Sequence, residues 1–142
     1  MPDSTIFVAV AIPTPLRNLF HYSLPANERV GIGSRVRVPF GSRKLIGVVI
    51  EVGSQPDIDI AKVKPVLEVL GAGGNLTEPI LRLCRWASDY YHHPIGEVLA
   101  TALPSLLRKG ADPQGPSQLL TLTPAGSLID QQSLKRAHAQ RK

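Results

Sequence analysis

From Thr5 to Ile12 the chain sets Ile6, Val8, Val10 and Ile12 at alternate positions, with Phe7, Ala9 and Ala11 between them. Successive side chains of a strand point to opposite faces, so two apolar faces predict a strand covered on both sides, central in its sheet. Pro13-Thr14-Pro15 end it, a loop follows, and Phe20–Leu24 reads as a short second strand closed by Pro25. Arg35-Val36-Arg37-Val38 alternates strictly. That pattern predicts Val36 and Val38 inward and both arginines on the opposite face. Pro39–Lys44 is a polar turn with a basic tip, and Leu45–Val52 is a β-branched buried strand, so the two flanking runs predict a hairpin. After a loop from Gln55 to Ile60, Lys64–Leu70 offers one more strand, and Gly71-Ala72-Gly73-Gly74 breaks the pattern.

The periodicity then changes. Thr77 is a candidate N-cap followed by Glu78 and Pro79, both favoured in a first helical turn. Ile80, Leu83, Cys84, Ala87 and Tyr91 recur at steps of three and four, predicting a helix packed by that stripe until Pro94. A second short helix from Pro94 would carry Val98, Leu99 and Ala102 inward before Pro104. From there to Ser117 the composition turns to Pro, Gly, Lys, Arg and Asp, as in a linker. Leu119–Thr123 reads as a short strand and Ser133–Lys142 as the opening of a helix. The expected architecture is α+β: a small, OB-like β-barrel of about five or six strands with a flanking helical hairpin and a flexible tail. The boundaries are a domain over residues 1–105, a linker over 106–118, and a piece over 119–142 too short to bury a core of its own.

Composition changes this picture in three ways. Hydrophobic residues make up 43% of the 142-residue chain and charged residues 19%, enough apolar surface to fold. Sixteen Lys and Arg against eleven acids give a net charge of +5, which favours polyanionic partners without choosing among nucleic acid, anionic lipid and acidic protein. The single Cys84 has no intramolecular disulfide partner, which fits a reducing interior and predicts a cytoplasmic protein, and no apolar run is long enough to span a bilayer.

No Gly-rich phosphate loop ends in Gly-Lys-Ser or Gly-Lys-Thr, and one cysteine with the adjacent His92-His93 offers no chelating spacing, so neither a nucleotide cofactor nor a metal is expected. Asp89, Tyr90, His92 and His93 resemble an acid–base cluster only loosely; helix-end packing explains them as well, and no catalytic residue is assigned. Arg35, Arg37, Arg43 and Lys44 have a spacing suited to successive phosphates, or to an ordinary solvated strand face. Phe20 can stack on a base or plug the barrel, Gly41 can be a plain turn glycine, and Lys64 a plain exposed lysine.

Leu19-Phe20-His21-Tyr22-Ser23-Leu24-Pro25, then Gly33-Ser34-Arg35-Val36-Arg37-Val38-Pro39-Phe40-Gly41, then Ile46-Gly47-Val48-Val49, then the run from Trp86 through Tyr90-Tyr91-His92-His93-Pro94-Ile95-Gly96 to Leu99, followed by Ala102-Leu103-Pro104, occur in that order. Together they resemble the amino terminus of the bacterial replication-restart helicases, the primosomal protein N-prime (PriA) family, over most of residues 5–109. Leu122-Thr123-Pro124-Ala125-Gly126 and Ser133-Leu134-Lys135-Arg136 resemble the start of that family's winged-helix domain, truncated here.

The resemblance implies a non-catalytic module that binds the 3′ end of the nascent leading DNA strand at a stalled fork. It implies that ATP and zinc belong to helicase domains outside this chain. Its partners would be branched DNA and, through the full-length helicase, other primosome proteins and single-stranded DNA-binding protein, in the bacterial cytoplasm. The alternative is an interaction module that docks on its own helicase core or on other primosome proteins. The family's 3′-end pocket maps onto Phe20, Gly41 and Lys64. His21, also assigned to the nucleic-acid site, stands where some members have the aspartate of Phe-Asp-Tyr, so this sequence departs from the family pattern at the group expected to contact the terminal hydroxyl.

Overall fold

Four strands form the body of the sheet in this computed structural model, which describes residues 5–71, 74–111 and 121–128. They are β1 (Thr5–Ala11), β2 (Phe20–Pro25), β3 (Arg35–Phe40) and β4 (Arg43–Val52). β1 lies between β2 and β4 and runs antiparallel to both, and β3 and β4 make the expected hairpin. The central position of β1 follows from its two apolar faces. Val8, Val10 and Ile12 pack inside the curled sheet with Tyr22, Leu24, Val36, Val38 and Val49, while Ala11 joins Val48 and Ile50 on the outer face beneath the helices.

Residues 64–70 close the curl. The single strand expected there is two short ones, β5 (Lys64–Pro65), parallel to β2, and β6 (Glu68–Val69), antiparallel to β3. The sheet order is therefore β5-β2-β1-β4-β3-β6. Val66 N–H donates to Ser23 O and the next residue, Leu67, donates to Arg37 O, each at 2.9 Å. Adjacent residues thus satisfy opposite edges of one sheet, which protects both edges from pairing with other chains.

Helix α1 (Glu78–Tyr91) starts after Thr77, with Pro79 in its first turn, and ends at His92, whose φ of 51° is left-handed. Its inward stripe is only partly the one expected: Cys84 is buried as expected, but Leu81 and Ser88 are buried with it, whereas Leu83 is 61% exposed and Ile80 and Tyr91 also face outward. Two stripes of comparable spacing are available on this helix, and the outer sheet face at Val48 and Ile50 selects between them. Ser88 is tolerated there because its hydroxyl donates to His93 O at 2.6 Å. Helix α2 (Ile95–Ala102) buries Leu99, and Leu103 after it, while Ala102 is exposed. Gly96 lies so close to β1 that a Cβ would overlap the backbone of Ile12. Among the described residues no helix is long and apolar enough to cross a membrane.

The alternation of β3 places Arg35 opposite Val36, as expected, but that face is not wet. Arg35 is fully buried, and its Nη1 donates to Leu107 O at 2.9 Å and Ala111 O at 3.1 Å. Short helix α3 (Ser105–Arg108) and the turn after it, within the expected linker, cover this face. Arg37 is paired with Glu68 at 2.8 Å. Of the expected strand at 119–123, residues 121–123 form no ladder, and Pro124–Ser127 make a short helix α4 capped by Thr123 Oγ1, which accepts from Gly126 N–H at 3.1 Å. The rest of the expected linker, residues 112–118, and the expected final helix lie outside the described residues.

Candidate nucleic-acid interface

A cavity of about 740 Å³ opens at the end of the barrel where β2 begins. Phe20, His21 and Tyr22 form one wall, the β3–β4 turn from Pro39 to Gly41 a second, and the loop through Ser54, Asp57 and Lys62 a third. Lys64 completes it because β5 sets that residue directly beside Tyr22. The four residues assigned from the sequence, Phe20, His21, Gly41 and Lys64, therefore line one cavity although they come from three separate segments.

Each is positioned by an identifiable local cause. Phe20 is half-buried and meets Phe40 edge-to-face, with centroids 5.2 Å apart and planes at 76°. It is thus held by the barrel core on one side while remaining part of the cavity lining on the other. Phe40 is held near the mouth by the hairpin, whose turn is tied to β2 by Tyr22, its hydroxyl donating to Pro39 O at 3.1 Å. Burial pushes the Tyr22 pKa up to about 12, so this hydroxyl keeps its proton throughout the physiological range. Gly41 adopts φ 58°, where a β-carbon is strained, and nothing lies within 4 Å of the place a Cβ would occupy, so its backbone is open to a ligand.

His21, Ala9 and Glu51 are register partners on three adjacent strands, β2, β1 and β4. In-register residues share a face, and all three line the cavity. The cavity accordingly carries Lys62 and Lys64 against Glu51 and Asp57 rather than one sign of charge. Tyr22, Phe40, Glu51, Asp57 and Lys62 were not singled out from the sequence. Phe40 and Lys62 lie in segments that read as turn and loop, and no periodicity marks which loop residues face a cavity.

Of the basic residues on and after β3, Arg35 is engaged inside the fold and Arg37 is paired with Glu68 at the surface, leaving Arg43 and Lys44 exposed on the hairpin. Asp89, Tyr90, His92 and His93 do not converge: His93 Nε2 pairs with Glu97 at 2.9 Å, and Tyr90 stacks on Trp86 at 5.2 Å. Among the described residues no group of three or more His, Cys, Asp or Glu is arranged to hold a metal ion.

The 3′DNA-binding domain of PriA matches residues 9–104 as a family, which includes every strand but the start of β1 and both long helices. The chain belongs to the PriA 3′DNA-binding domain family. A replication restart protein PriA of Haemophilus influenzae is 34% identical over 135 residues, 94% of this chain and 18% of that protein. The corresponding protein of Buchnera aphidicola (subsp. Schizaphis graminum) is 31% identical over 104 residues, 73% of this chain and 14% of its own length. That of Bacillus subtilis is 34% identical over 88 residues, 58% of this chain and 11% of its own length. The chain thus spans less than a fifth of these PriA proteins, and the cavity lies within the matched PriA domain.

Proposed function

We propose that this cavity receives the 3′-terminal nucleotide of a DNA strand, and that the chain is the end-reading module of a PriA replication-restart helicase acting at stalled forks. The observation that carries this reading is the convergence of Phe20, His21, Gly41 and Lys64 on one cavity of nucleotide size. Phe20 offers a ring on which any base can stack, since every base has a π-face. The open backbone at Gly41 admits the sugar closely, and Lys64 adds positive charge that draws the anionic strand end into the cavity. His21, beside Glu51 across Ala9, presents a group that accepts a hydrogen bond from a terminal hydroxyl. The module itself has no catalytic role; ATP-driven unwinding and any zinc belong to the helicase domains of the full-length protein.

The test compares matched oligonucleotides ending in a 3′-hydroxyl and a 3′-phosphate by fluorescence anisotropy. The hydroxyl-ended strand binds more tightly if the cavity reads a free end, because a 3′-phosphate would bring further negative charge beside Glu51 and Asp57. Equal affinities overturn the end-reading.

A second reading, docking on the helicase core or another primosome protein, is favoured by a separate surface. Trp86, Tyr90 and Tyr91 are each more than half exposed on α1 and contact one another at centroid distances of 4.9 to 6.4 Å. These rings lie outside the cavity, so both readings can hold for one molecule.

A further inference from the structure

A smaller cleft of about 290 Å³ lies between the outer face of β4 and α1 and is lined by Arg17, Arg85, Leu19, Ile50 and Ile95, with Ser88 at its floor. It adjoins the larger cavity, because Leu19 and Glu51 line both. We propose that this cleft binds the phosphodiester on the 5′ side of the terminal nucleotide, so that a single strand runs from the cavity over Leu19 and along α1. The proposal rests on the end-reading above for the placement of the terminal nucleotide.

Four features point to a phosphate there. Arg17 precedes Phe20 by three residues, at most about 10 Å of extended chain. A guanidinium in the cleft is therefore one step along a strand from a base stacked on Phe20. Arg85 is held in place by its own donation to Ile50 O at 3.4 Å, which reduces the side-chain entropy lost on binding. Among the described residues no carboxylate is within ion-pairing distance of either arginine. Apolar walls at Leu19, Ile50 and Ile95 strengthen a guanidinium–phosphate contact relative to one in open water.

The acids Glu51 and Asp89 also line the cleft, so its net charge is near zero and it attracts a strand by contact rather than at long range. The competing exit from the cavity is past Gly41 to Arg43 and Lys44, which stand exposed on the hairpin.

A double-mutant cycle on the full chain decides between the routes. Its arms are Arg17→Gln with Arg85→Gln, and a methylphosphonate in place of the last phosphodiester of a short hydroxyl-ended thymidine oligonucleotide. At low salt each exposed arginine is expected to contribute about threefold, so the double variant weakens binding about tenfold. Its log–log salt slope is shallower by about 0.7, the value for one phosphate contact on a single strand. The neutral linkage weakens wild-type binding similarly and has no added effect in the double variant. Asp89→Asn tightens binding by removing a like charge. Arg17→Gln alone, in a loop and without a hydrogen bond to break, guards against misfolding of the double variant.

Full additivity of the two arms overturns the cleft. So does transfer of the coupling to an Arg43→Gln, Lys44→Gln variant, which places the strand on the hairpin. Loss of hydroxyl-over-phosphate discrimination with the coupling intact overturns the end-reading and keeps the cleft as a phosphate site. Discrimination with no coupling does the reverse.

Discussion

The guanidinium of Arg35, on the third strand of the barrel, donates at 2.9 Å to the carbonyl of Leu107, 72 residues further along the chain. With the second bond to Ala111 O, it fastens the chain that leaves α2 onto the outer face of β3. Arg35→Ala is expected to destabilise the fold by about 2–4 kcal/mol, through the cavity left and the two hydrogen bonds lost. It should also expose the bonds after Arg108 and Lys109 to trypsin. Urea unfolding and timed digestion read the two effects; wild-type cleavage rates in a destabilised variant would separate α3 from the Arg35 clasp.

Gly96→Ala should loosen the helical hairpin from the sheet. Its methyl would enter the backbone of Ile12, which cannot yield as a flexible side chain does. The expected cost is about 1–3 kcal/mol, the range for overpacking. Thermal unfolding checks the magnitude, and amide exchange at β1 and α2 should rise before that of β3.

Tyr22 predicts an alkaline limit on stability. Its pKa is raised from 10.0 to about 12 by burial, so between those values the unfolded chain has lost a proton that the folded chain retains. The unfolded state then binds fewer protons, and stability falls as pH rises from 10 toward 12. Tyr22→Phe should be less stable at neutral pH by about 1 kcal/mol for the lost bond to Pro39 O, yet decline less steeply above pH 10. Urea midpoints measured across this range for both proteins test the difference.

Phe20→Leu keeps an apolar side chain against Phe40 while removing the aromatic face. It should lower affinity for a 3′-ended strand by about 1–3 kcal/mol, nearly equally for the four terminal bases, with stability little changed. A loss confined to one base would mean a selective reader, and a loss of stability without a loss of affinity would return Phe20 to the core alone.

Alternation and punctuation in the sequence were sufficient for β1 to β4, for the β3–β4 hairpin and for the two helices bounded by Pro79, Pro94 and Pro104. Those elements are specified locally: a side-chain period of two or near 3.6, and residues that cannot continue it. The residues proposed for the site, Phe20, His21, Gly41 and Lys64, were suggested only by the resemblance, because none of them departs from an ordinary strand or turn pattern. What covers a face is a different kind of fact. Strand alternation put Arg35 opposite Val36, but only residues 105–111 folding back made that side an interior. Likewise α1 carries two candidate stripes that share Cys84, and contact with Val48 and Ile50 chose Leu81 over Leu83. The split of residues 64–70 between two sheet edges, and with it the placement of Lys64 beside Tyr22, required the sheet to curl until its edges met. Periodicity fixes which side a residue faces, whereas burial and the cavity depend on contacts between segments far apart in the chain, and those exist only once the sheet has closed.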